Sequence, residues 1–284
     1  MKKIIILINC PDKKGIISAV TNFIHNKKGN IVYIDQYVDR LNSIFFMRLE
    51  CEIQIFKNDL NILKKEFNQQ IGNKFSMNFN FFQNDKKLKM ALLVSKYDHC
   101  LYDLLSRYSS NELKVDIPLI MSNHPDLKHV ADRFNIEFHY INISKENKTN
   151  AEEQQMKIFK KYSIDFIVLA RYMQILTNLI IDNFKNKIIN IHHSFLPAFP
   201  GAKPYHSAYN RGVKIIGATS HYVTNELDAG PIIDQNTTQV SHLNSIEDFI
   251  AKGRDLERIV LSKAVQLHVT RKVMVYKNKT VIFS

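Results

Sequence analysis

The chain has 284 residues, 45% hydrophobic and 23% charged, with a formal net charge of +12 and a pI near 9.4. That composition is globular and leaves room for two domains of ordinary size. The longest apolar runs, Ile4 to Ile8 and Ile164 to Ala170, fall far short of the roughly 20 residues that cross a bilayer, so no membrane partner is expected. The lysines are scattered among asparagines and isoleucines, with no basic stripe interleaved with stacking aromatics. This argues against nucleic acid and leaves compositional bias, or attraction of an anionic, polyglutamylated small molecule, to account for the charge.

Met1-Lys2-Lys3 followed by apolar residues has the outline of a signal peptide, but Asn9, Asp12 and two lysines cut it short. It reads instead as the first strand of a cytoplasmic protein. Cys10, Cys51 and Cys100 are odd in number and far apart. No disulfide framework or C-x-x-C motif is available, and reduced, structural thiols are expected.

Residues 1–83 read as strand 3–9, helix 14–27, strand 30–40, strand 44–53, helix 58–70 and strand 75–81. The order βαββαβ is the ferredoxin-like split arrangement. The turn Asn9-Cys10-Pro11-Asp12-Lys13-Lys14-Gly15, leading into Ile16-Ile17-Ser18, resembles the start of an ACT regulatory domain. The resemblance implies an amino-acid effector held where this turn meets a neighbouring subunit, and hence a homo-oligomer. Pro11 and Gly15 also suit a plain strand-to-helix turn, and a purely oligomerising domain fits as well.

A polar break, Asn84-Asp85-Lys86-Lys87, marks the boundary with a second domain over 84–284. Strands at 89–95, 115–122, 136–140, 165–170 and 188–192 alternate with helical stretches such as 151–162. Together they imply an α/β fold: an open, mostly parallel, Rossmann-like sheet with helices on both faces. Such sheets bind ligands beyond the carboxyl ends of their strands. No G-x-G-x-x-G follows any predicted strand, which sets a dinucleotide dehydrogenase aside.

The chemically informative stretch runs from Ile189 to Gln235. A predicted strand ends on Asn190-Ile191-His192, a Pro- and Gly-rich loop and a short helix follow, and a second strand through 217–223 leads to Asp228-Ala229-Gly230-Pro231. Strand alternation points Asn190 and His192 to one face and His193 to the other, which disfavours joint metal chelation by the two histidines. No metal site is expected. Asn190 suits oxyanion stabilisation, and His192 suits proton transfer near neutral pH. Asp228 suits orienting the imidazole and the attacking water and accepting a proton, with partial burial expected to raise its pKa. Each alone has an ordinary structural use, as a backbone-satisfying Asn, a core His or a turn-forming Asp.

Taken together, N-I-H-x-S-x-L-P and G-A-T-S-H-Y-V-T-x-E-L-D-x-G-P-I-I resemble the folate-dependent formyltransferase family. Within it, the full length resembles the hydrolytic branch that converts 10-formyltetrahydrofolate to formate and tetrahydrofolate. Supporting segments are Val94-Ser95-Lys96, 170–176, 201–206 and Gly253-Arg254-Asp255. The resemblance carries catalytic roles onto Asn190, His192 and Asp228, with Thr219 and His221 at neighbouring active-site positions. It places the pterin against Met173, Gln174, Ile175 and Leu176 on one side and Val223 and Asn225 on the other. Folate is then the substrate and no cofactor is implied.

Two further readings compete: transfer of the formyl group to an amine such as glycinamide ribonucleotide, and a non-catalytic amino-acid sensor. The turn Ser95-Lys96-Tyr97-Asp98-His99-Cys100 lacks the glycines that would cradle an acceptor phosphate and carries an aspartate. His193 stands where the transferase pattern has proline. Both features favour water as acceptor, in a branch that supplies formate to purine synthesis and balances one-carbon pools.

Overall fold

The computed structural model describes residues 2–54, 59–83, 87–198 and 204–284. Its compact units are Met1–Lys87 with Arg271–Met274 and Val281–Ser284, and Leu88–Thr270 with Val275–Thr280.

The first unit runs β1 (Lys2–Pro11), α1 (Ile16–Asn26), β2 (Asn30–Asp39), β3 (Ile44–Ile53), α2 (Asp59–Phe67), α3 (Asn73–Phe75) and β4 (Asn78–Gln83). The strands form an antiparallel sheet in the order β2-β3-β1-β4. Alternation on β1 turns Ile4, Ile6 and Ile8 towards the core, and Met47, Leu49 and Cys51 do the same on β3. Helix α1 answers with Ile16, Val20, Phe23 and Ile24, the spacing of one helical face. Phe67 anchors this layer, with edge-to-face contacts to Phe23, Phe79 and Phe81 at 4.8–5.3 Å. Each such side chain contributes roughly 1.5–3 kcal/mol by leaving water.

The strand expected at 75–81 begins three residues later. Phe75, Met77, Phe79 and Phe81 alternate as in a strand, but Phe75 packs into the core from the end of a helical turn and Ser76 closes that turn at φ +52°. Burial pushes the Cys10 thiol, helped by Asp12, up to about 11 and the Cys51 thiol to about 12, so both stay protonated.

Arg48 of β3 is only 1% exposed. Its Nε donates to the Arg271 carbonyl at 2.9 Å, its Nη2 pairs with Glu50 at 2.5 Å, and the Tyr33 ring lies against it. The Tyr33 hydroxyl also donates to the Ser284 carbonyl at 2.6 Å, and Asp35 accepts from the Ser284 amide. The last residues thus pack within the first unit, a placement without any local signature in composition or pattern.

The second unit comprises β5 (Leu88–Val94), α4 (His99–Ser109), β6 (Val115–Ser122), α5 (Lys128–Arg133), β7 (Glu137–Tyr140), α6 (Lys148–Tyr162), β8 (Phe166–Leu169) and α7 (Asn178–Asn183). It continues with β9 (Ile188–His192), α8 (Pro204–Arg211), β10 (Ile215–Tyr222), β11 (Ile232–Gln239) and α9 (Ile246–Val269). Its sheet has the order β11-β10-β9-β8-β5-β6-β7, parallel from β9 through β7, with β10 antiparallel to both neighbours. The chain starts at β5, builds outward through β6 and β7, then crosses to β8 on the other side. That reversal opens a crevice at the carboxyl ends of β5 and β8. Helix α9 is started by a capping box in which Ser245 and Asp248 bond each other's backbone amides, worth roughly 1 kcal/mol.

A ribbon of β12 (Val273–Tyr276) and β13 (Lys279–Ile282) follows. Among the described residues no helix is long and apolar enough to cross a membrane.

Candidate active site

Strand β9 delivers Asn190 and His192 to the crevice, and its antiparallel pairing with β10 sets His221 opposite Asn190 and Thr219 opposite His192. Asn190 Nδ2 lies 3.2 Å from His221 Nε2, while His221 Nδ1 lies 3.0 Å from the Tyr222 carbonyl. A carbonyl only accepts, so Nδ1 carries a proton, while Nε2 faces the Asn190 amide. One of the two Asn190 amide hydrogens remains for a ligand.

Asp228 comes from the loop between β10 and β11, in a left-handed conformation at φ +54°. Two residues on, Gly230 lies against the Tyr222 backbone so closely that a Cβ there would sit 1.8 Å from the carbonyl oxygen. Only glycine permits the approach, and it fixes where the loop turns. Asp228 then meets His192 Nδ1 at 3.2 Å and His221 Nε2 at 3.6 Å.

The hydrogen bonds from His192 and His221 hold the Asp228 carboxyl well below the usual carboxylate range and outweigh burial. The expectation that burial raises it is therefore overturned. Asp228 is an ionised anchor and not a ready proton acceptor. With Nδ1 of His192 turned to Asp228, the other ring nitrogen, Nε2, is buried without a hydrogen-bond partner among the described residues.

These groups line a cavity of about 310 Å³ that also takes in Met173, Gln174, Ile175, Leu176, Val223 and Asn225. His193 lines it as well, although alternation assigned it to the opposite face. Strand β9 ends at His192, so the period-2 rule no longer governs the next residue. Thr219 is not in the lining. Fully buried, it donates to the Ser194 carbonyl and accepts from Leu196 N and Gln235 Nε2, thereby holding the loop that leaves His193.

The 171–176 wall is pinned from beneath: Met173 N donates to Ser95 Oγ, Tyr172 pairs with Gln155, and Thr177 with Glu152. Tyr172 and Leu176 are buried, while Met173 and Ile175 are exposed, which makes a stiff apolar ledge suited to a flat ring. Thr224, Glu226 and Leu227 complete the facing wall. Sequence reasoning passed over these three, although they lie inside the stretch that carried the resemblance.

A second cluster was not anticipated at all. Glu257 on α9 is 1% exposed and accepts from the Tyr205 hydroxyl at 2.6 Å. His99 Nε2 lies at 2.8 Å from it and Arg171 Nε at 3.4 Å. Burial alone would raise its pKa, but the His99 hydrogen bond and the Arg171 charge outweigh that and leave it below the usual value. Helix α9 makes room for Tyr205 with Gly253, where a Cβ would fall 2.1 Å from the Tyr205 ring. The available signal was a lone glutamate on the apolar face carrying Leu256, Val260 and Leu261.

His99, Cys100 and Glu257 stand close enough to ligate a cation. Yet both Glu257 oxygens are engaged, Arg171 occupies the same field, and burial with the Glu257 charge keeps the Cys100 thiol protonated. The donor set does not suit a metal ion.

Polar groups at the carboxyl ends of β8 and β9, with a loop aspartate closing on the histidine, define an active-site type of crevice in an open α/β sheet. The formyl transferase family model matches residues 88–265, and the ACT domain model matches residues 4–68. Over 279 residues, 98% of each chain, the protein is 48% identical to a formyltetrahydrofolate deformylase of Synechocystis sp.. It is 42% identical to that of Bacillus subtilis, over 98% of this chain and 93% of the relative. The crystal structure of a formyltetrahydrofolate deformylase from Pseudomonas syringae pv. tomato superposes with a TM-score of 0.95 at 41% identity, covering 100% of this chain and 95% of that one. The chain belongs to the formyltetrahydrofolate deformylase family.

Proposed function

We propose that the protein hydrolyses 10-formyltetrahydrofolate to formate and tetrahydrofolate, with Asn190, His192 and Asp228 as the catalytic residues. One observation carries the reading: His192 is tied through Nδ1 to an ionised Asp228 and keeps a buried Nε2, without a hydrogen-bond partner among the described residues, at the cavity that Asn190 also lines. With the pterin on the Met173–Leu176 ledge and against Val223 and Asn225, the formyl carbon meets these groups. His192 Nε2 takes a proton from water as the water oxygen bonds to that carbon. The carbonyl oxygen becomes an oxyanion that accepts from Asn190, worth roughly 3–4 kcal/mol. His221 orients the amide, and Asp228 stabilises the imidazolium. His192 then returns its proton to N10 as the C–N bond breaks, and the released acid ionises to formate. His193 serves as a wall of the site and Thr219 as support behind it. No metal or redox cofactor takes part in this reading, since folate is itself the substrate.

Water as acceptor is supported by the glycine-free turn 95–100, by His193 and by the ACT domain ahead of the catalytic one. The formate would feed formyl-dependent steps of purine synthesis. For the first unit we propose an amino-acid effector at the turn 9–15 and assembly into a homo-oligomer. The test mixes the purified protein with 10-formyltetrahydrofolate and no amine acceptor, and measures formate and tetrahydrofolate. Release of both is expected; loss of formyl groups only upon addition of glycinamide ribonucleotide would overturn the reading in favour of a transferase.

A further inference from the structure

Beside the folate cavity lies a second one of about 230 Å³, which shares Arg171 and His193 with it. Its remaining polar lining, among the described residues, is Tyr97, His99, Tyr205, His206, Arg254 and Glu257. Arg171 and Arg254 both stand over the Tyr97 ring, with guanidinium carbons 5.0 and 5.9 Å from its centre. That aromatic holds two cations in the cavity wall. Glu257 is the one carboxylate among the described lining residues, and it is already engaged by His99, Tyr205 and Arg171. Among the described residues Arg254 has no ion pair, and the buried Nδ1 of His99 has no hydrogen-bond partner.

We infer that this cavity is a subsite for the small carboxylate product, formate, which leaves through it. The inference rests on the hydrolase reading above. Hydrolysis joins the water oxygen to the formyl carbon, breaks the C–N bond and returns hydrogen to N10. Its products have opposite character: a flat reduced folate and a small hard anion. The anion forms next to ionised Asp228, which repels it, and the reduced folate occupies the first cavity. The adjoining cavity, reached past His193 and Arg171, offers two fixed positive charges against one negative. It also holds donors of the kind a carboxylate accepts from. The same opening admits water while the folate is bound.

The test uses the full-length enzyme with 10-formyltetrahydrofolate as varied substrate and sodium formate as inhibitor, balanced with sodium chloride at constant ionic strength. Formate is expected to inhibit noncompetitively against folate. Arg254→Gln should raise the formate inhibition constant about tenfold while kcat/KM for the folate stays within about twofold, and Arg254→Lys should recover most of the loss. An inhibition constant indifferent to Arg254, purely competitive inhibition against folate, or no inhibition by formate each overturns the subsite. Inorganic phosphate is run in parallel. Tighter inhibition by phosphate than by formate, with the same Arg254 dependence, would make the cavity a phosphate site and overturn the assignment to formate. Absence of hydrolysis without an amine acceptor in all three proteins would remove the parent reading and this one together. Active hydrolases with an unchanged formate constant would remove this one alone.

Discussion

His192 meets Asp228 at 3.2 Å and His99 meets Glu257 at 2.8 Å, in the same unit and in adjoining cavities. In both pairs the second imidazole nitrogen is buried without a hydrogen-bond partner among the described residues, and in both the carboxyl is held below its ordinary value. Their company differs. Asp228 sits on a loop in a left-handed conformation with 18% of its side chain exposed, and its partner histidine lines a cavity together with an amide donor and an apolar ledge. Glu257 sits in the middle of a 24-residue helix at 1% exposure, bound by a tyrosine and an arginine as well as its histidine. A histidine–carboxylate pair is therefore not in itself a catalytic device. In the proposed reaction an oxyanion donor and room for a flat substrate set the first pair apart, whereas flanking guanidiniums surround the second.

The strongest break in this comparison is Asp228→Asn. It should lower kcat by about 10²–10⁴-fold, because the amide no longer holds the imidazole tautomer or its charge. Tetrahydrofolate affinity, read by direct titration, should change little; undiminished turnover would take Asp228 out of the mechanism. Next comes Asn190→Ala, with a loss of about 10²–10³-fold in kcat and a nearly constant KM. A rise confined to KM would make Asn190 a binding residue only.

Glu257→Gln should act on the fold more than on the rate. Removing one charge from a buried, paired cluster costs about 3–5 kcal/mol, measured as a drop in the urea unfolding midpoint. A much larger effect on kcat than on that midpoint would erase the contrast between the pairs. The pH dependence has a definite sign. A carboxyl depressed in the folded state contributes its full stabilisation above its unfolded value, at about pH 4, and loses it as pH falls through the folded one. The gap in stability between the wild type and Glu257→Gln should be steady from neutrality down to about pH 5 and shrink below about pH 4. A gap that widens on acidification would contradict an ionised Glu257.

The smallest effect sharpens the role of the Asp228 loop. Asn278 Nδ2 donates to the Ala229 carbonyl at 2.8 Å, and Thr280 donates to the Ile232 carbonyl at 2.6 Å. Asn278→Ala should cost about 0.5–1.5 kcal/mol of stability and a few-fold in kcat. Unchanged values of both would show that the loop holds its shape through Gly230 alone.

Strands β3, β6 and β9 occupy the ranges expected from their apolar runs, because turn-forming residues bound those runs closely. Strand β4 was displaced, because alternation of Phe75 and Met77 is equally compatible with a helix end and a turn that point into the same core. Asn190 and His192 were legible as a pair from strand alternation alone. Asp228 was singled out as a group able to orient the imidazole, but a loop residue thirty-six positions past His192 has no periodicity to fix its target, and His221 entered only through the family resemblance.

The chain's pattern of apolar runs, turns and helical faces determined two α/β layers and brought Asn190 and His192 to the end of one strand, because side-chain direction along a strand is a local property. Only the tertiary structure decided that Asp228 stays ionised, that His193 joins the cavity and Thr219 stands behind it, and that Arg171, Tyr205 and His99 converge on Glu257. Charge state and convergence depend on which distant groups share a low-dielectric space, and spacing along the chain does not encode that.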